Sequence, residues 1–316
     1  MNPRALLAPL TPLYRLGLSL RERRLAAGRE PVRRLRLPVI SIGNLSTGGS
    51  GKTPLVIALA QALSARGFAV DVLSRGYARR SRQAARVDPA GSADDFGDEP
   101  LLIARSAGVP VYVAPERYDA GALAESERDA QSPAVHLLDD AFQHRQLYRK
   151  VDILLLSRAD LTDRLLPAGN LREPLSALHR ASLIAIPADD PALESDLRAR
   201  SWQGPVWRIC RRMEIPHHAG PVLAFCGIAR PHQFFSGLEA AGVRIAIRRA
   251  FPDHHRYTQA DLDRLAEQAR ATGATALLTT EKDAVRLERL NPALPILTAG
   301  LRVQIDDEAA PLESLL

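Results

Sequence analysis

Gly48, Gly49, Gly51, Lys52 and Thr53 are the residues of this chain whose types and spacing point most directly to chemistry. They fall in LPVISIGNLSTGGSGKTPLV (37–56), where Thr47 and Ser50 complete the turn. Glycines let backbone N–H groups turn inward around an anion, and a helix N-terminus adds unpaired donors and partial positive charge. Lys52 can then reach β- and γ-phosphates, and the Thr53 hydroxyl can ligate Mg²⁺. The elements that must hold such a loop are present on both sides. Leu37, Val39, Ile40 and Ile42 read as a buried strand, and Pro54 suits the first turn of a helix starting at Lys52. One position departs from G-x-x-x-x-G-K-[ST]: Ser46 stands where glycine is expected. The alternative, a glycine-rich turn beside a surface lysine, lacks a reason for the flanking strand and helix. A nucleotide triphosphate is the expected ligand.

Asp139 and Asp140 end the apolar run Ala134–Leu138, where a phosphate-loop protein places the acid that holds Mg²⁺ directly or through water. The lesser alternative is that they cap the next segment. Ligands of open α/β sheets bind outside the carboxyl ends of the strands, so Ser74–Tyr77 (with Arg75 and Tyr77), Asp98, Arg117 and Asp139–His144 (with Gln143 and His144) should face the phosphate loop. Asp98 could position a hydroxyl and accept its proton. Asp98-Glu99 before a helix is also what an N-cap looks like. Phe251–Tyr257 (FPDHHRY) is a dense polar loop after a strand; it reads either as a cover carrying a histidine to the reacting hydroxyl, or as surface histidines before an N-cap at Thr258. Thr279–Asp283 is a further possible anion site, and His217-His218 carries no assigned role.

Around these residues, the chain alternates apolar strand-like runs with helices, the pattern of a mostly parallel sheet covered on both faces. Strands are expected at 68–73, 109–114, 134–140, 151–156 and 182–187, helices at 53–66, 101–107 and 118–130, and an exposed polar excursion at 78–97. Near residue 200 the texture changes. Segment 205–215 alternates as a half-exposed strand does. A second αβ series follows: strands 221–228, 243–251, 275–280 and 295–298, helices 231–241, 258–272 and 281–290. Segment 301–306 alternates again, and the two alternating segments are expected to pair as a ribbon. The predicted organisation is a core at 1–204, a linker strand at 205–219, a smaller αβα domain at 220–298, and a returning strand and tail at 299–316.

With 316 residues, 46% hydrophobic and 25% charged, the chain can bury two cores. Cys210 and Cys226 offer neither a disulfide framework nor a metal-ligand spacing, which fits a reducing compartment. No apolar run is long enough to span a membrane, and the N-terminus lacks the marks of a signal peptide. The net charge of +6 is uneven: residues 1–36 hold nine arginines against Glu22 and Glu30, a local excess of +7. A local basic field and only 5% aromatics argue against a nucleic-acid groove. Residues 4–28 set leucines among those arginines at helical spacing, with a regular helix starting near Thr11. Such a helix can lie in a membrane interface, or pack on its own domain with a solvated basic face.

Eight ordered motifs, SIGNLSTGGSGKTP, LSRGYARR, GDEP, LLDDAFQH, LLPAGNLREP, FCGIARPHQFF, FPDHHRYT and TTEKDAVRL, run through nearly the whole chain. In them the sequence resembles the tetraacyldisaccharide 4′-kinases, the lipid A 4′-kinases of Gram-negative bacteria. That family tolerates serine or threonine where Ser46 stands. The resemblance implies a P-loop core, a smaller C-terminal αβα domain and a two-stranded β linker. It also implies ATP- and Mg²⁺-dependent phosphorylation of the 4′-hydroxyl of an acylated glucosamine disaccharide 1-phosphate, giving lipid IVA. By motif, Lys52 and Thr53 take the phosphate and Mg²⁺ roles, Asp139 and Asp140 the metal end of their strand, Asp98 the catalytic aspartate and His254 its assisting histidine. Arg117, Gln143, His144, Arg172 and Glu173 match positions around the site. The family is peripheral on the cytoplasmic face of the inner membrane, which favours the N-terminal helix as a membrane contact; a monomer is the expected state. The rival is a phosphate-loop ATPase working as a nucleotide-controlled partner-binding switch.

Overall fold

The computed structural model describes residues 3–49, 51–128, 133–306, 312 and 315. A 3₁₀ segment (Pro3–Leu10) leads into α1 (Thr11–Ala26), which begins at the expected residue because Pro9 and Pro12 suit only a helix start. Then come β1 (Val39–Asn44), α2 (Lys52–Ala65), β2 (Ala69–Ser74), β3 (Ala85–Arg86), α3 (Ala93–Phe96), α4 (Asp98–Ala107), β4 (Val111–Val113), α5 (Arg117–Ser126) and β5 (Ala134–Asp139). The first half closes with β6 (Val151–Leu155), α6 (Arg158–Thr162), β7 (Leu183–Pro187), α7 (Ala192–Ala199) and β8 (Val206–Glu214). The second half holds β9 (Val222–Cys226), α8 (Pro231–Ala240), β10 (Ile245–Ala250), α9 (Gln259–Ala271), β11 (Ala276–Thr280), α10 (Glu281–Ala284) and β12 (Ile296–Ile305).

The twelve strands among the described residues lie in one sheet of order β10-β9-β11-β12-β8-β7-β6-β1-β5-β2-β4-β3. β1 is central and parallel to both β5 and β6. Its residues are buried on both faces, as a continuous apolar run requires. On one face Leu55, Val56, Leu59 and Leu63 of α2 pack on Ile40, Ile42, Val72 and Leu137. On the other, Leu45, Phe142, Leu154 and Ile184 form a second cluster. Each such leucine contributes roughly 1.5–3 kcal/mol by leaving water. In the second half β9 splits by alternation: Val222, Ala224 and Cys226 meet Phe234, Phe235 and Leu238 of α8, whereas Leu223 and Phe225 meet Leu262, Leu265 and Ala269 of α9.

Three expectations change. The polar excursion at 78–97 contains β3, which pairs antiparallel with β4, and α3; two- and four-residue elements leave no periodicity to read. The helix expected at 281–290 stops at Ala284. Segments 295–298 and 301–306 are one strand, β12, rather than two. Its first part, Ile296–Ala299, runs parallel to β11, and its second, Gly300–Ile305, runs antiparallel to β8.

That change of partner at Ala299–Gly300 positions the site. The carboxyl end of β11 (Thr280) lies beside Ala299, and the carboxyl end of β8 (Glu214) lies beside Gly300. β9 and β10 are parallel to β11, while β7, β6, β1, β5 and β2 continue parallel from β8. The loops at the carboxyl ends of both sets of strands therefore converge on the same region of β12. Among the described residues, no helix is long and apolar enough to cross a membrane.

Candidate active site

The loop after β1 meets the N-terminus of α2 at Gly51, whose φ of 85° is left-handed; Gly48 has a φ of 92°. Both are conformations that glycine adopts without strain. Ser46 is absent from the left-handed region, so the one departure from the motif falls where glycine is not required. Its backbone carbonyl accepts a hydrogen bond from Asn44 Nδ2 at 2.8 Å. Thr47 N–H donates to Asn170 O at 2.8 Å, which ties the loop to the segment carrying Arg172. Thr53 stands in the first turn of α2. Ser50 lies outside the described residues.

Lys52 Nζ donates to Asn44 Oδ1 at 3.0 Å and lies 3.6 Å from Asp140 Oδ1. Arg172 grips Asp140 from the other side at 2.8 and 3.3 Å and also reaches Asn44 Oδ1. Burial opposes ionisation of Asp140, but Lys52, Arg172 and Arg117 outweigh it and hold the carboxyl at about 2. Asp139, the last residue of β5, is in the opposite condition. Burial, Glu99 and Asp140 push its carboxyl up to about 7 against Lys52 and Arg117. Ser74 Oγ donates to Asp139 Oδ2 at 3.3 Å, while Oδ1 is buried with no hydrogen-bond partner. Arg117 is buried at the start of α5, and burial pulls it down to about 10 against the attraction of both aspartates. Gln143 Nε2 donates to Asn44 O at 3.0 Å.

A second cluster draws on both halves of the sheet. Asp98 is the first residue of α4, yet its side chain makes no cap. Instead Asp98 Oδ2 is 2.9 Å from His254 Nδ1 and 3.1 Å from Arg286 Nε. Burial presses the Asp98 carboxyl upward, but the His254 hydrogen bond and the charges of Arg286, His254 and Lys282 hold it below the usual carboxylate range. His254 has a left-handed φ of 58° and sits in the loop after β10, where its N–H donates to Gly227 O at 3.1 Å. Lys282 Nζ donates to Glu99 Oε1 at 2.9 Å and lies 3.4 Å from His254 Nε2. Tyr77 covers the pair, its ring centroid 5.3 Å from that of His254.

The Ser74–Tyr77 loop joins the clusters, since Ser74 touches Asp139 at one end and Tyr77 touches His254 at the other. Gly97 packs on the same loop: an added Cβ would come within 3.1 Å of Gly76. The second half also reaches the phosphate loop, because a Cβ at Gly48 would lie 3.1 Å from Ala229 Cβ; from the first half, Arg211 of β8 approaches too, its guanidinium 3.3 Å from where a Cβ at Gly51 would lie.

The sequence-predicted residues thus fall into groups. Lys52, Asp139, Asp140, Arg117, Gln143 and Arg172 share the first cluster; Asp98, His254 and Tyr77 form the second. Arg75 is exposed on the joining loop. His144 is half-buried, and burial together with Arg117, Arg149, Arg21 and Arg75 lowers it to about 4. Glu173 turns away from the phosphate loop, pairs with Arg180 at 2.5 Å, and lines a groove of about 510 Å³ beneath α1 with Arg15, Leu18 and Glu22. Thr280 and Asp283 satisfy each other at the start of α10, and Glu281 adds a negative charge, so that turn does not offer an anion site. Sequence reasoning gave no role of their own to Asn44, Lys282 and Arg286. Lys282 and Arg286 are four residues apart, which puts both on one face of a helical turn and was the available signal.

The donors also suit a hard cation. Two aspartates and a threonine hydroxyl are oxygen ligands, and the unpartnered Asp139 Oδ1 is a buried acceptor awaiting positive charge. Among the described residues no group of three or more His, Cys, Asp or Glu could hold an ion alone. Mg²⁺ held by one or two carboxylates plus substrate phosphates needs no such group.

The family profile described as LpxK, tetraacyldisaccharide-1-P 4′-kinase, matches residues 3–316. A tetraacyldisaccharide 4′-kinase of Koribacter versatilis (strain Ellin345) is 40% identical over 98% of this chain and 97% of its own length. One from Geobacter metallireducens is 38% identical over 99% and 97%. The crystal structure of LpxK from Aquifex aeolicus in complex with ATP superposes with a TM-score of 0.77 at 32% identity, covering 99% of this chain and 98% of that one.

Proposed function

The chain belongs to the LpxK family of tetraacyldisaccharide-1-P 4′-kinases, and from that membership we propose that it transfers the γ-phosphoryl group of ATP to the 4′-hydroxyl of tetraacyldisaccharide 1-phosphate, giving lipid IVA. The observation that carries this reading is the meeting of Asp98 and His254, drawn from opposite halves of the sheet, on the rim that also holds Lys52 and Asp140. A phosphate site alone would serve any nucleotide-binding protein. A carboxylate paired with a histidine beside it serves a hydroxyl acceptor.

Phosphoryl transfer leaves a protein mainly positioning and electrostatic work. The loop at 47–51 and Lys52 cradle the triphosphate, and Arg117 and Arg172 add positive charge around it. Thr53, Asp139 and Asp140 would hold Mg²⁺, which would neutralise charge developing on the phosphates. Asp98 is ionised across the working pH range, so it accepts the proton of the 4′-hydroxyl as that oxygen attacks. His254 fixes the Asp98 carboxylate and shares the charge change. Arg75, Tyr77, Gln143, His144 and Glu173 are assigned to the acceptor side.

An acylated acceptor stays in a bilayer, so the enzyme works at its surface. We read α1 as the contact. Leu13, Leu16 and Leu20 of α1, with Leu6 and Leu10 of the 3₁₀ segment before it, are exposed large apolar side chains, Leu13 at 69%, among exposed arginines. The opposite face of α1 is docked: Tyr14 Oη donates to Arg172 O at 2.8 Å, and Leu18 packs on the core. A basic helix with a bare leucine stripe binds an anionic surface reversibly, which fits a monomeric, peripheral enzyme on the cytoplasmic face of the inner membrane. The strand exchange along β12 supports two bodies, 1–204 and 220–298, joined by 205–219 and 299–316.

The test is transfer of label from γ-³²P-labelled ATP to tetraacyldisaccharide 1-phosphate in mixed micelles with Mg²⁺. Labelled lipid is the expected product. ATP hydrolysis with no labelled acceptor would overturn the assignment and favour a nucleotide switch.

A further inference from the structure

Arg286 follows α10, is 6% exposed, and donates from both Nη atoms, while its buried Nε makes an ion-pair contact without a hydrogen bond. Nη1 donates to His255 O at 3.0 Å, and Nη2 to Gly227 O at 3.4 Å, with Asp283 Oδ1 3.3 Å away. Nε lies 3.1 Å from Asp98 Oδ2. Asp283 is itself fully buried and held by Gly227 N–H at 3.0 Å, Tyr257 Oη at 2.9 Å and Thr280 Oγ1 at 2.6 Å. The guanidinium is thus seated in a rigid frame before it meets Asp98.

Its partners share one feature. His255 follows His254 in the chain, and Gly227 O also accepts the His254 N–H. One cation therefore braces the backbone that carries His254 while touching the carboxylate that His254 pairs with. We infer that Arg286 is a positioning residue for the Asp98–His254 pair: it fixes the loop that presents His254, occupies one side of Asp98 Oδ2, and leaves Oδ1 to the acceptor hydroxyl. The inference rests on the proposed role of Asp98.

The surrounding charges support a built contact. Lys282 pairs with Glu99, Arg105 with Glu288, and Arg289 lies 4.0 Å from Asp95, so α3 and α4 meet the 281–289 segment through alternating charge. The groups facing Asp98 are His254, Arg286 and Lys282, with Glu99 beside it in α4 and Asp253 4.0 Å from His254 Nε2. Arginine suits this place better than lysine because its planar fork engages several acceptors at once.

The experiment compares Arg286→Met, Arg286→Lys, Asp98→Ala and the double variant Asp98→Ala/Arg286→Met in the full-length enzyme. A loosened catalytic pair costs on the order of 10²-fold in rate, so Arg286→Met should lower kcat by about that factor with KM for ATP unchanged. Its acid limb of kcat should move to higher pH, because a cation that favours ionised Asp98 is gone. Arg286→Lys, which keeps charge but loses the fork, should fall in between with the acid limb little moved. In the double variant, loss of Arg286 should add nothing to the loss from Asp98→Ala. Full kcat in Arg286→Met, or an equal further loss on the Asp98→Ala background, would overturn the inference. If Asp98→Ala itself retains turnover, the role of Asp98 fails instead. Should Arg286→Met not fold, Arg286→Lys with and without Asp98→Ala carries the same comparison.

Discussion

Asp139 gives the most quantitative test of the phosphate-side electrostatics. In the folded, nucleotide-free enzyme burial, with Glu99 and Asp140, pushes its carboxyl up to about 7 from an ordinary 3.8. That rise of about 3 corresponds to about 4 kcal/mol at about 1.4 kcal/mol per pKa unit. The direction follows from proton binding. At low pH the carboxyl is neutral in both states and costs nothing. As pH rises from about 4 to about 7 the unfolded chain gives up its proton while the folded chain keeps it, so stability falls. Above about 7 the buried carboxylate carries the whole penalty. Asp139→Asn removes the charge at nearly constant shape, and its amide oxygen can still accept from Ser74. At about 2.1 cal/mol/K per residue of unfolding entropy, 4 kcal/mol corresponds to roughly 6 °C in a chain of this length. Thermal melts without nucleotide or Mg²⁺ should place the Asp139→Asn enzyme roughly 6 °C above the parent at about pH 8 and only about 1–2 °C above it at about pH 4.5. Mg²⁺ and ATP should raise the parent more than the variant. A variant melting at or below the parent at the higher pH, or an equal gap at both, would refute the reasoning.

Asp98→Ala should lower kcat by about 10²–10⁴-fold, the usual worth of a positioned base, while calorimetry still shows ATP binding; His254→Ala should cost less. Gly43→Ala would set a Cβ 2.6 Å from Phe142 Cβ and 2.8 Å from its backbone nitrogen, so urea unfolding should show a loss of about 1–3 kcal/mol, and displacement of the Asp140–Gln143 segment should weaken ATP binding. Removing residues 1–28 should reduce co-sedimentation with anionic vesicles while the circular dichroism melt remains cooperative; unchanged co-sedimentation would remove α1 as the membrane contact.

Much of the molecule is legible along the chain because it rests on local rules. The strand–loop–helix at 37–65 is set by an apolar run, glycines where the backbone turns left-handed, and a helix start at Lys52. Parallel strands buried on both faces read as apolar runs, and Thr258 with Asp261 forms the capping box that opens α9. Short elements such as β3 and α3 leave no such trace. The sequence also marks Asp98 and His254 as chemically able, but spacing leaves each with an ordinary structural reading.

Tertiary structure decides between those readings. His254 lies 156 residues beyond Asp98, and only the exchange of partners along β12 makes the carboxyl ends of the two oppositely directed strand sets meet. The same exchange delivers Arg286 and Lys282, whose i, i+4 spacing is visible in the sequence but whose target is not. Packing around the end of β5 also separates two adjacent aspartates: Asp139 ends β5 in a buried position, whereas Asp140 turns into the left-handed region and meets Lys52 and Arg172. Local sequence sets which backbone conformations are cheap. Which charges share a low-dielectric space depends on long-range packing, and that sets their protonation and their partners.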